Sequence, residues 1–122
     1  MRALVVDDSR AIRDLLSDAL AGAGFEIAQA GDGRQALALL DAEPGIELVL
    51  VDWNMPNMDG MEFVEVLRQD ERFTDTRVMM VTMERSASHI ARAARAGVDQ
   101  YLTKPCTKAA ILDRVRAMGF SV

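Results

Sequence analysis

The sequence is poor in cysteine, aromatic residues and long hydrophobic runs. It has one cysteine, Cys106, in 122 residues, so no disulfide can form within the chain. No run approaches the roughly 18 apolar residues that span a bilayer, and the opening apolar residues meet Asp7 and Asp8 too soon for a secretory signal peptide. These absences exclude a disulfide-stapled scaffold, and we expect a cytoplasmic protein with no membrane segment.

Basic residues are also scarce: 14 Lys and Arg against 19 Asp and Glu give a net charge of −5. Residues 1–76 hold 16 acidic and 6 basic residues, whereas residues 77–122 hold 3 acidic and 8 basic. An acidic average argues against non-specific binding to nucleic acid, which needs a concentrated basic surface. Half of the residues are hydrophobic, enough for one core, so we expect residues 1–122 to form a single domain.

Short apolar runs alternate with longer amphipathic segments. The runs predict strands at residues 3–6, 25–30, 46–51, 78–81 and 98–102. The other segments predict five helices: one after Ser9 that ends at Gly22 or Gly24, then 34–41, 60–69, 86–95 and 107–118. The predicted buried stripes are Ile12, Leu15, Leu16, Ala19 and Leu20 in the first helix, and Ile111, Leu112, Val115 and Met118 in the last.

This alternation favours parallel strands joined by right-handed crossovers, with helices on both faces of one sheet. Strands one and three are unbroken apolar runs, as expected of buried central strands, whereas strand two alternates and belongs at an edge. We therefore predict a doubly wound, flavodoxin-like α/β fold with five strands in the order 2-1-3-4-5 and five helices. In such a fold, ligands bind at the carboxyl ends of strands one and three.

Polar residues stand where the apolar runs stop. Asp7 and Asp8 follow strand one, Asp52 follows strand three, Thr82 follows strand four, and Lys104 comes after strand five. The predicted strand order brings them to one edge, where two carboxylates about 4 Å apart repel by about 4 kcal/mol at an effective dielectric of 20. A divalent cation relieves this repulsion, and Mg²⁺ keeps open positions for a phosphoryl oxygen. The set therefore predicts a Mg²⁺ site suited to phosphoryl transfer.

The residues around the third strand resemble a known family. The segment Asp52-Trp53-Asn54-Met55-Pro56-Asn57-Met58-Asp59-Gly60 is similar to the loop after strand three in bacterial response regulator receiver domains, in its chemotaxis form. The spacings match too: 44 residues from Asp8 to Asp52, 30 from Asp52 to Thr82 and 22 from Thr82 to Lys104. The resemblance covers nearly the whole chain.

The resemblance implies that Asp52 accepts a phosphoryl group from the phosphohistidine of a sensor histidine kinase or phosphotransfer protein. Asp8, Asp52 and the backbone carbonyl of Asn54 would bind Mg²⁺, with Asp7 acting through a coordinated water. The chain would then be a phosphoacceptor that catalyses only its own phosphorylation and dephosphorylation, not an enzyme acting on other substrates.

The same resemblance assigns the switch. Thr82 and Lys104 would hold the phosphoryl oxygens, and Lys104 and Pro105 resemble the family's cis peptide. Thr82 would move toward the phosphoryl group while Tyr101, three residues before Lys104, turns inward. Considered alone, Tyr101 also fits an amphipathic aromatic of an edge strand.

Turnover and output follow from the resemblance as well. Asn54 and Glu84 occupy positions that tune self-dephosphorylation, but Met83 departs from the small residue usual after the switch threonine, and its side chain could narrow access to the acceptor. The lone histidine, His89, is expected on the surface and not as a ligand. The implied partner face comprises the fourth and fifth helices and the fifth strand, with Arg92, Arg95, Tyr101, Lys108 and Arg114; helix arginines are otherwise ordinary solvated charges.

Several functions stay open at this point. The downstream target could be the flagellar motor switch, or the chain could be a phosphorelay intermediate or a receiver cut from a larger regulator. A monomer is expected, with dimerisation on phosphorylation an option.

A Mg²⁺-dependent aspartyl phosphatase would need a second acid two residues after the nucleophile, where Asn54 stands. A flavin carrier would need hydroxyls where two aspartates follow strand one, and a DNA-binding regulator would need an effector domain.

Overall fold

The computed structural model describes residues 1–122, in which strands and helices alternate. The elements are β1 (Arg2–Val6), α1 (Arg10–Ala21), β2 (Glu26–Ala30), α2 (Gly33–Ala42), β3 (Ile46–Val51), α3 (Gly60–Gln69), β4 (Arg77–Thr82), α4 (Ala87–Ala96), β5 (Gln100–Thr103) and α5 (Lys108–Ala117). A short 3₁₀ helix, Glu71–Phe73, follows α3 and was not expected from the sequence. None of the helices has both the length and the apolar composition that crossing a membrane requires.

The five strands form one parallel sheet in the order β2-β1-β3-β4-β5, which confirms the predicted topology. Successive side chains of a strand point to opposite faces, so β1 buries Leu4 and Val6 on one face and Ala3 and Val5 on the other. Residues of α2, α3 and α4 cover the first face, and residues of α1 and α5 cover the second. Burial on both faces explains why the central strands are continuous apolar runs.

Each α-helix begins at a polar residue whose side chain accepts a hydrogen bond from a backbone N–H of the first turn. These N-caps are Ser9, Asp32, Asp59, Ser86 and Thr107. An N-cap satisfies a backbone donor that the helix itself leaves free. The caps therefore set the start of each helix directly after the loop at the carboxyl end of the preceding strand.

The fifth strand begins two residues later than predicted. Val98 lies before β5, because its N–H donates to the Ala93 carbonyl at the end of α4, and the Asp99 N–H makes the first contact with β4, at the Val78 carbonyl. Gly97 ends α4 in the left-handed conformation, with φ of 106°. The chain must leave this helix cap before it can join the sheet.

In the predicted stripe of α1, Leu15 is exposed and Ile12 is only half-buried. Leu15 is 53% exposed, whereas Leu16 and Leu20 are buried in the core. With 3.6 residues per turn, Leu15 lies at the outer edge of the apolar arc, and it faces a groove described below. Leu112 in α5 is likewise only half-buried.

Candidate functional site

Three carboxylates meet at the carboxyl edge of the central strands. Asp7 follows β1 and is 1% exposed, Asp52 follows β3 and is 9% exposed, and Asp8 is exposed to solvent. One carboxylate oxygen from each residue lies within 4.8 Å of the other two. The sheet order thus brings together residues that are 44 positions apart in the chain.

Lys104 reaches this cluster from the segment after β5. Its Nζ donates to Asp7 Oδ2 at 2.7 Å and to Asp52 Oδ2 at 3.0 Å. Burial acts to lower the pKa of Lys104, but the hydrogen bonds to the two carboxylates outweigh burial, so the pKa is raised. The ammonium therefore stays charged and bridges two of the three acids.

Burial of the Asp7 carboxyl disfavours its charged form, which is the electrostatically unfavourable part of the arrangement. Burial raises its pKa above the usual range, and hydrogen bonds from Lys104 and from the Ser9 N–H, at 2.9 Å, only partly offset this effect. The repulsion from Asp52 acts in the same direction as burial. An additional positive charge at this edge would relieve both acids.

Thr82 is fully buried at the end of β4. Its Oγ1 accepts from the Glu84 N–H at 3.3 Å, and its carbonyl accepts from the Lys104 N–H at 2.9 Å. The peptide bond between Lys104 and Pro105 is cis, as the sequence resemblance implied. The ends of β4 and β5 are thus tied together beside Asp52.

Glu84 connects this edge to two further residues. The Asn54 side-chain amide donates to Glu84 Oε1 at 2.8 Å, and the Tyr101 hydroxyl donates to the Glu84 carbonyl. Burial, and then the nearby charges of Glu84 and Asp52, raise the pKa of the half-buried Tyr101 phenol. Tyr101 therefore lies close to the acidic edge and is held to the loop after β4.

Gly60 allows the loop after β3 to close on itself. A Cβ at this position would lie 1.9 Å from the Asp52 carbonyl oxygen, and the Gly60 N–H donates to the Trp53 carbonyl at 2.8 Å. Asp59 and Glu62 then begin α3 with a capping box. The backbone of the candidate acceptor is held by a close approach that only glycine permits.

The donor set fits a hard divalent cation. Mg²⁺ takes carboxylate and carbonyl oxygens and is usually held by few protein groups, and Asp7, Asp8 and Asp52 offer clustered carboxylate oxygens. No sulfur or imidazole belongs to this cluster. The acidic edge therefore offers the oxygen donors that a hard divalent cation such as Mg²⁺ prefers.

Comparison with known proteins agrees with this geometry. Residues 3–116 match the family described as the response regulator receiver domain. The chain belongs to this family. Receiver domains generally bind Mg²⁺ at an acidic pocket and act as signalling proteins, not as conventional enzymes.

Chemotaxis proteins are among the relatives of this receiver domain. It is 34% identical over 119 residues to chemotaxis protein CheY1 of Helicobacter pylori, covering 97% of this chain and 96% of that protein. It is 36% identical over 116 residues to chemotaxis protein CheY of Pseudomonas aeruginosa, covering 94% and 93%. The receiver domain is thus of the CheY type.

Solved structures show the same fold. Chemotaxis protein CheY4 of Vibrio cholerae superposes with a TM-score of 0.90 at 33% identity, covering 96% of this receiver domain and 97% of that chain. A chain of the CheX-CheY-BeF₃-Mg²⁺ complex of Borrelia burgdorferi gives a TM-score of 0.91 at 26% identity, covering 99% and 90%. The fold is therefore CheY-like over nearly the full length of the receiver domain.

The basic residues assigned to a partner face are spread over different sides of the receiver domain. Arg114 Nη1 donates to the Tyr101 carbonyl at 3.1 Å, so these two residues are adjacent, and Arg95 is exposed on α4. Arg92 instead points toward α3, with Nη2 3.7 Å from Glu65 Oε1. Lys108 turns to the opposite side of α5, where its Nζ would lie 3.2 Å from a Cβ on Gly22 at the end of α1.

The sequence did not reveal an apolar groove beside Lys104. Its volume is about 500 Å³, and its lining residues are Ile12, Leu15, Leu16, Val81, Met83, Lys104, Pro105 and Cys106. Met83 is 70% exposed in this groove. Because the groove joins residues from α1, β4 and the segment after β5, no local pattern could have predicted it.

His89 lies on the surface of α4, as expected, but it is half-buried against the loop after β3. This loop, residues 52–59, is called the acceptor loop because it begins with Asp52. The centroid of the His89 ring is 4.6 Å from that of Trp53, in an edge-to-face arrangement, and the His89 Nε2 is 3.5 Å from Glu84 Oε2. Helical periodicity predicts that His89 lies outside the core, but it does not predict which loop the ring contacts.

Proposed function

We propose that this chain is a phosphorylation-activated signalling switch whose phosphoacceptor is Asp52. The phosphoryl group comes from a phosphohistidine on a sensor histidine kinase or phosphotransfer protein. One observation carries the proposal: the Lys104 ammonium lies 3.0 Å from Asp52 Oδ2 at an edge that also holds Asp7 and Asp8. A nucleophilic carboxylate, a fixed cation and further acids together are suited to moving a phosphoryl group.

Each acidic residue has a separate part in this proposal. Asp8 and Asp52, with the backbone carbonyl of Asn54, would hold Mg²⁺, and Asp7 would act through a coordinated water while it orients Lys104. When bound, Mg²⁺ neutralises charge on the transferring phosphoryl group. Lys104 is positioned to exchange its contact with Asp52 for one with a phosphoryl oxygen.

The switch follows from what holds Thr82 before phosphorylation. Its hydroxyl oxygen is engaged by the Glu84 N–H at 3.3 Å, and the Glu84 carbonyl in turn holds the Tyr101 hydroxyl. Phosphorylation replaces the Asp52 carboxylate with an acyl phosphate, which adds about one negative charge and brings strong acceptor oxygens. Turning Thr82 to donate to that group would move the loop that carries Glu84, and Tyr101 would turn inward with it, so a local charge change would reach the surface.

The output surface that we propose consists of α4, β5 and α5 around Tyr101. Exposed Arg95 and Arg114 give it positive charge, which suits an acidic or amphipathic partner helix. The names of the chemotaxis relatives favour a partner in motility control, such as the flagellar motor switch. A phosphorelay role, with the phosphoryl group passed onward, is the alternative.

The proposal is tested by incubating the chain with Mg²⁺ and acetyl phosphate and recording intact mass spectra. We expect one added phosphoryl group that is stable in acid and labile in alkali, as an acyl phosphate is, and no addition to Asp52→Asn. Asp75→Asn is a matched control, because Asp75 is exposed and lies outside the cluster. Absence of a phosphorylated species would refute the proposal, and rapid multiple-turnover release of phosphate would favour an aspartyl phosphatase.

A further inference from the structure

Glu84 is held at four of its atoms by four different residues. Its N–H donates to Thr82 Oγ1, its carbonyl accepts from Tyr101, and its Oε1 accepts from Asn54 at 2.8 Å. Its remaining carboxylate oxygen, Oε2, lies 3.5 Å from His89 Nε2. Thr82 ends β4, Tyr101 belongs to β5 and Asn54 belongs to the acceptor loop. Only His89 comes from α4.

Two contacts fix the orientation of the His89 ring, one with Ser86 and one with Trp53. Nδ1 is in hydrogen-bond contact with the hydroxyl of Ser86, the N-cap of α4, and the ring packs edge to face on Trp53. When the Ser86 hydroxyl donates to Nδ1, a neutral imidazole carries its proton on Nε2. Nε2 then presents an N–H to Glu84 whether the ring is neutral or protonated.

Among the charged side chains near His89, Glu84 is the one whose carboxylate lies within 4.0 Å of the ring nitrogens. The Arg92 guanidinium lies 5.8 Å from the centroid of the Trp53 ring and pairs with Glu65 of α3. Arg85, from the same loop as Glu84, donates to the Lys104 carbonyl at 3.0 Å and is exposed. Neither arginine forms a salt bridge with Glu84, so His89 Nε2 is the one basic side-chain nitrogen within 4.0 Å of the Glu84 carboxylate.

We infer that His89 is a positioning residue that holds the Glu84 carboxylate beside the phosphoacceptor and thereby speeds hydrolysis of the acyl phosphate. The inference rests on the proposed phosphorylation of Asp52. Asn54 follows Asp52 by two residues, and its amide is paired with Glu84. An amide of the acceptor loop that is paired with a carboxylate of the loop after β4 is suited to orienting an attacking water.

The hydrolysis is a simple displacement. The water oxygen forms a bond to phosphorus, and the bond between phosphorus and the Asp52 carboxyl oxygen breaks. The electron pair of that bond returns to Asp52 as a carboxylate, and the water proton leaves with inorganic phosphate or passes to solvent. His89 takes no part in these bonds, because it acts through the position of Glu84.

The test compares the decay of phosphorylated wild type, His89→Ala and His89→Gln after the phosphodonor is removed, with intact mass spectrometry as the measurement. We expect His89→Ala to slow decay about threefold to tenfold, since removal of a residue that orients a reacting group commonly costs about tenfold in activity. Glutamine keeps an N–H donor and should restore at least half of the lost rate. Ile90→Ala, which shortens an exposed neighbour on α4, is the control and should decay like wild type.

A double-mutant cycle separates this role from a general effect on folding. In a Glu84→Ala background, His89→Ala should change the decay rate less than about 1.5-fold, because coupled residues give non-additive effects. An unchanged or faster decay in His89→Ala, no recovery with glutamine, or full additivity with Glu84→Ala overturns the inference. These outcomes differ from failure of the proposed function, in which no variant would be phosphorylated at all.

Discussion

Lys104 and Asp7 are 97 residues apart in sequence and 2.7 Å apart in space. The contact spans the carboxyl edge of the sheet, since Lys104 follows the edge strand β5 and Asp7 follows β1, with β3 and β4 between them. It compensates a buried acid with a cation from the far side of the sheet. The pairing links the stability of the fold to the charge state of the site, and the first prediction tests this link.

Removing the ammonium should destabilise the protein more than an ordinary surface substitution. Lys104→Met leaves Asp7 buried without its cation, and breaking a buried ion pair commonly costs about 3–5 kcal/mol. Because Lys104 retains some solvent exposure, we expect about 2–3 kcal/mol, measured by urea unfolding without Mg²⁺. Lys108→Met, on the exposed start of α5, is the control, and equal losses in the two variants would contradict the prediction.

Mg²⁺ should stabilise the wild-type fold. At about 100 times its dissociation constant, a ligand that binds only the native state adds about 2.7 kcal/mol. The rise in melting temperature measures this effect, and the fluorescence of Trp53, which directly follows Asp52, should change with the same midpoint. No thermal shift at saturating Mg²⁺ would count against the acidic cluster as a metal site.

Asp8 should affect the metal-free and metal-bound proteins in opposite directions. It is exposed, lies within the cluster and has no hydrogen-bonding partner, so Asp8→Ala relieves repulsion without Mg²⁺. We expect a melting temperature a few degrees higher than wild type without Mg²⁺, little further rise with Mg²⁺, and loss of phosphorylation. Asp18→Ala, exposed on α1, is the control. An unfolded Asp8→Ala protein would mean that Asp8 is structural.

The loop after β3 should not tolerate a side chain at Gly60. Gly60→Ala would place a Cβ 1.9 Å from the Asp52 carbonyl oxygen, so the acceptor backbone would have to move. Overpacking of this kind commonly costs about 1–3 kcal/mol, and we expect phosphorylation to fall with stability. Gly22→Ala is the matched control, because Gly22 has a φ of −63° and its nearest neighbour is the flexible end of Lys108. Equal effects would contradict the prediction.

Asp32 should contribute stability that is lost in acid. Hydrogen bonds from the Gln35 N–H and the Asn57 amide, each 2.9 Å long, lower the pKa of Asp32 below its usual 3.8. A lowered pKa in the folded state means that the contribution is present above the unfolded pKa and declines as the pH falls through the folded value. Asp32→Ala should therefore cost about 1–2 kcal/mol at pH 7, and the difference from wild type should shrink toward pH 3. A difference independent of pH would exclude an ionic contribution.

The sequence by itself predicted the fold and identified the residues that form the acidic edge. Unbroken apolar runs identify β1 and β3 as buried central strands, and Asp7, Asp52 and Thr82 stand where such runs stop. A parallel sheet brings all carboxyl ends to one edge, so strand order alone predicts that these residues meet. Periodicity also located all five helices, because each amphipathic stripe and polar N-cap is local in the chain.

Only the tertiary structure determined which groups touch. Leu15 belongs to an apolar stripe but borders an open groove. Lys108, which the family resemblance assigned to the partner face, turns to the end of α1, and His89 packs on Trp53. Periodicity gives the direction of a side chain relative to its own helix. What that side chain meets depends on loops and helices distant in sequence, so these contacts appear only when the whole chain is packed.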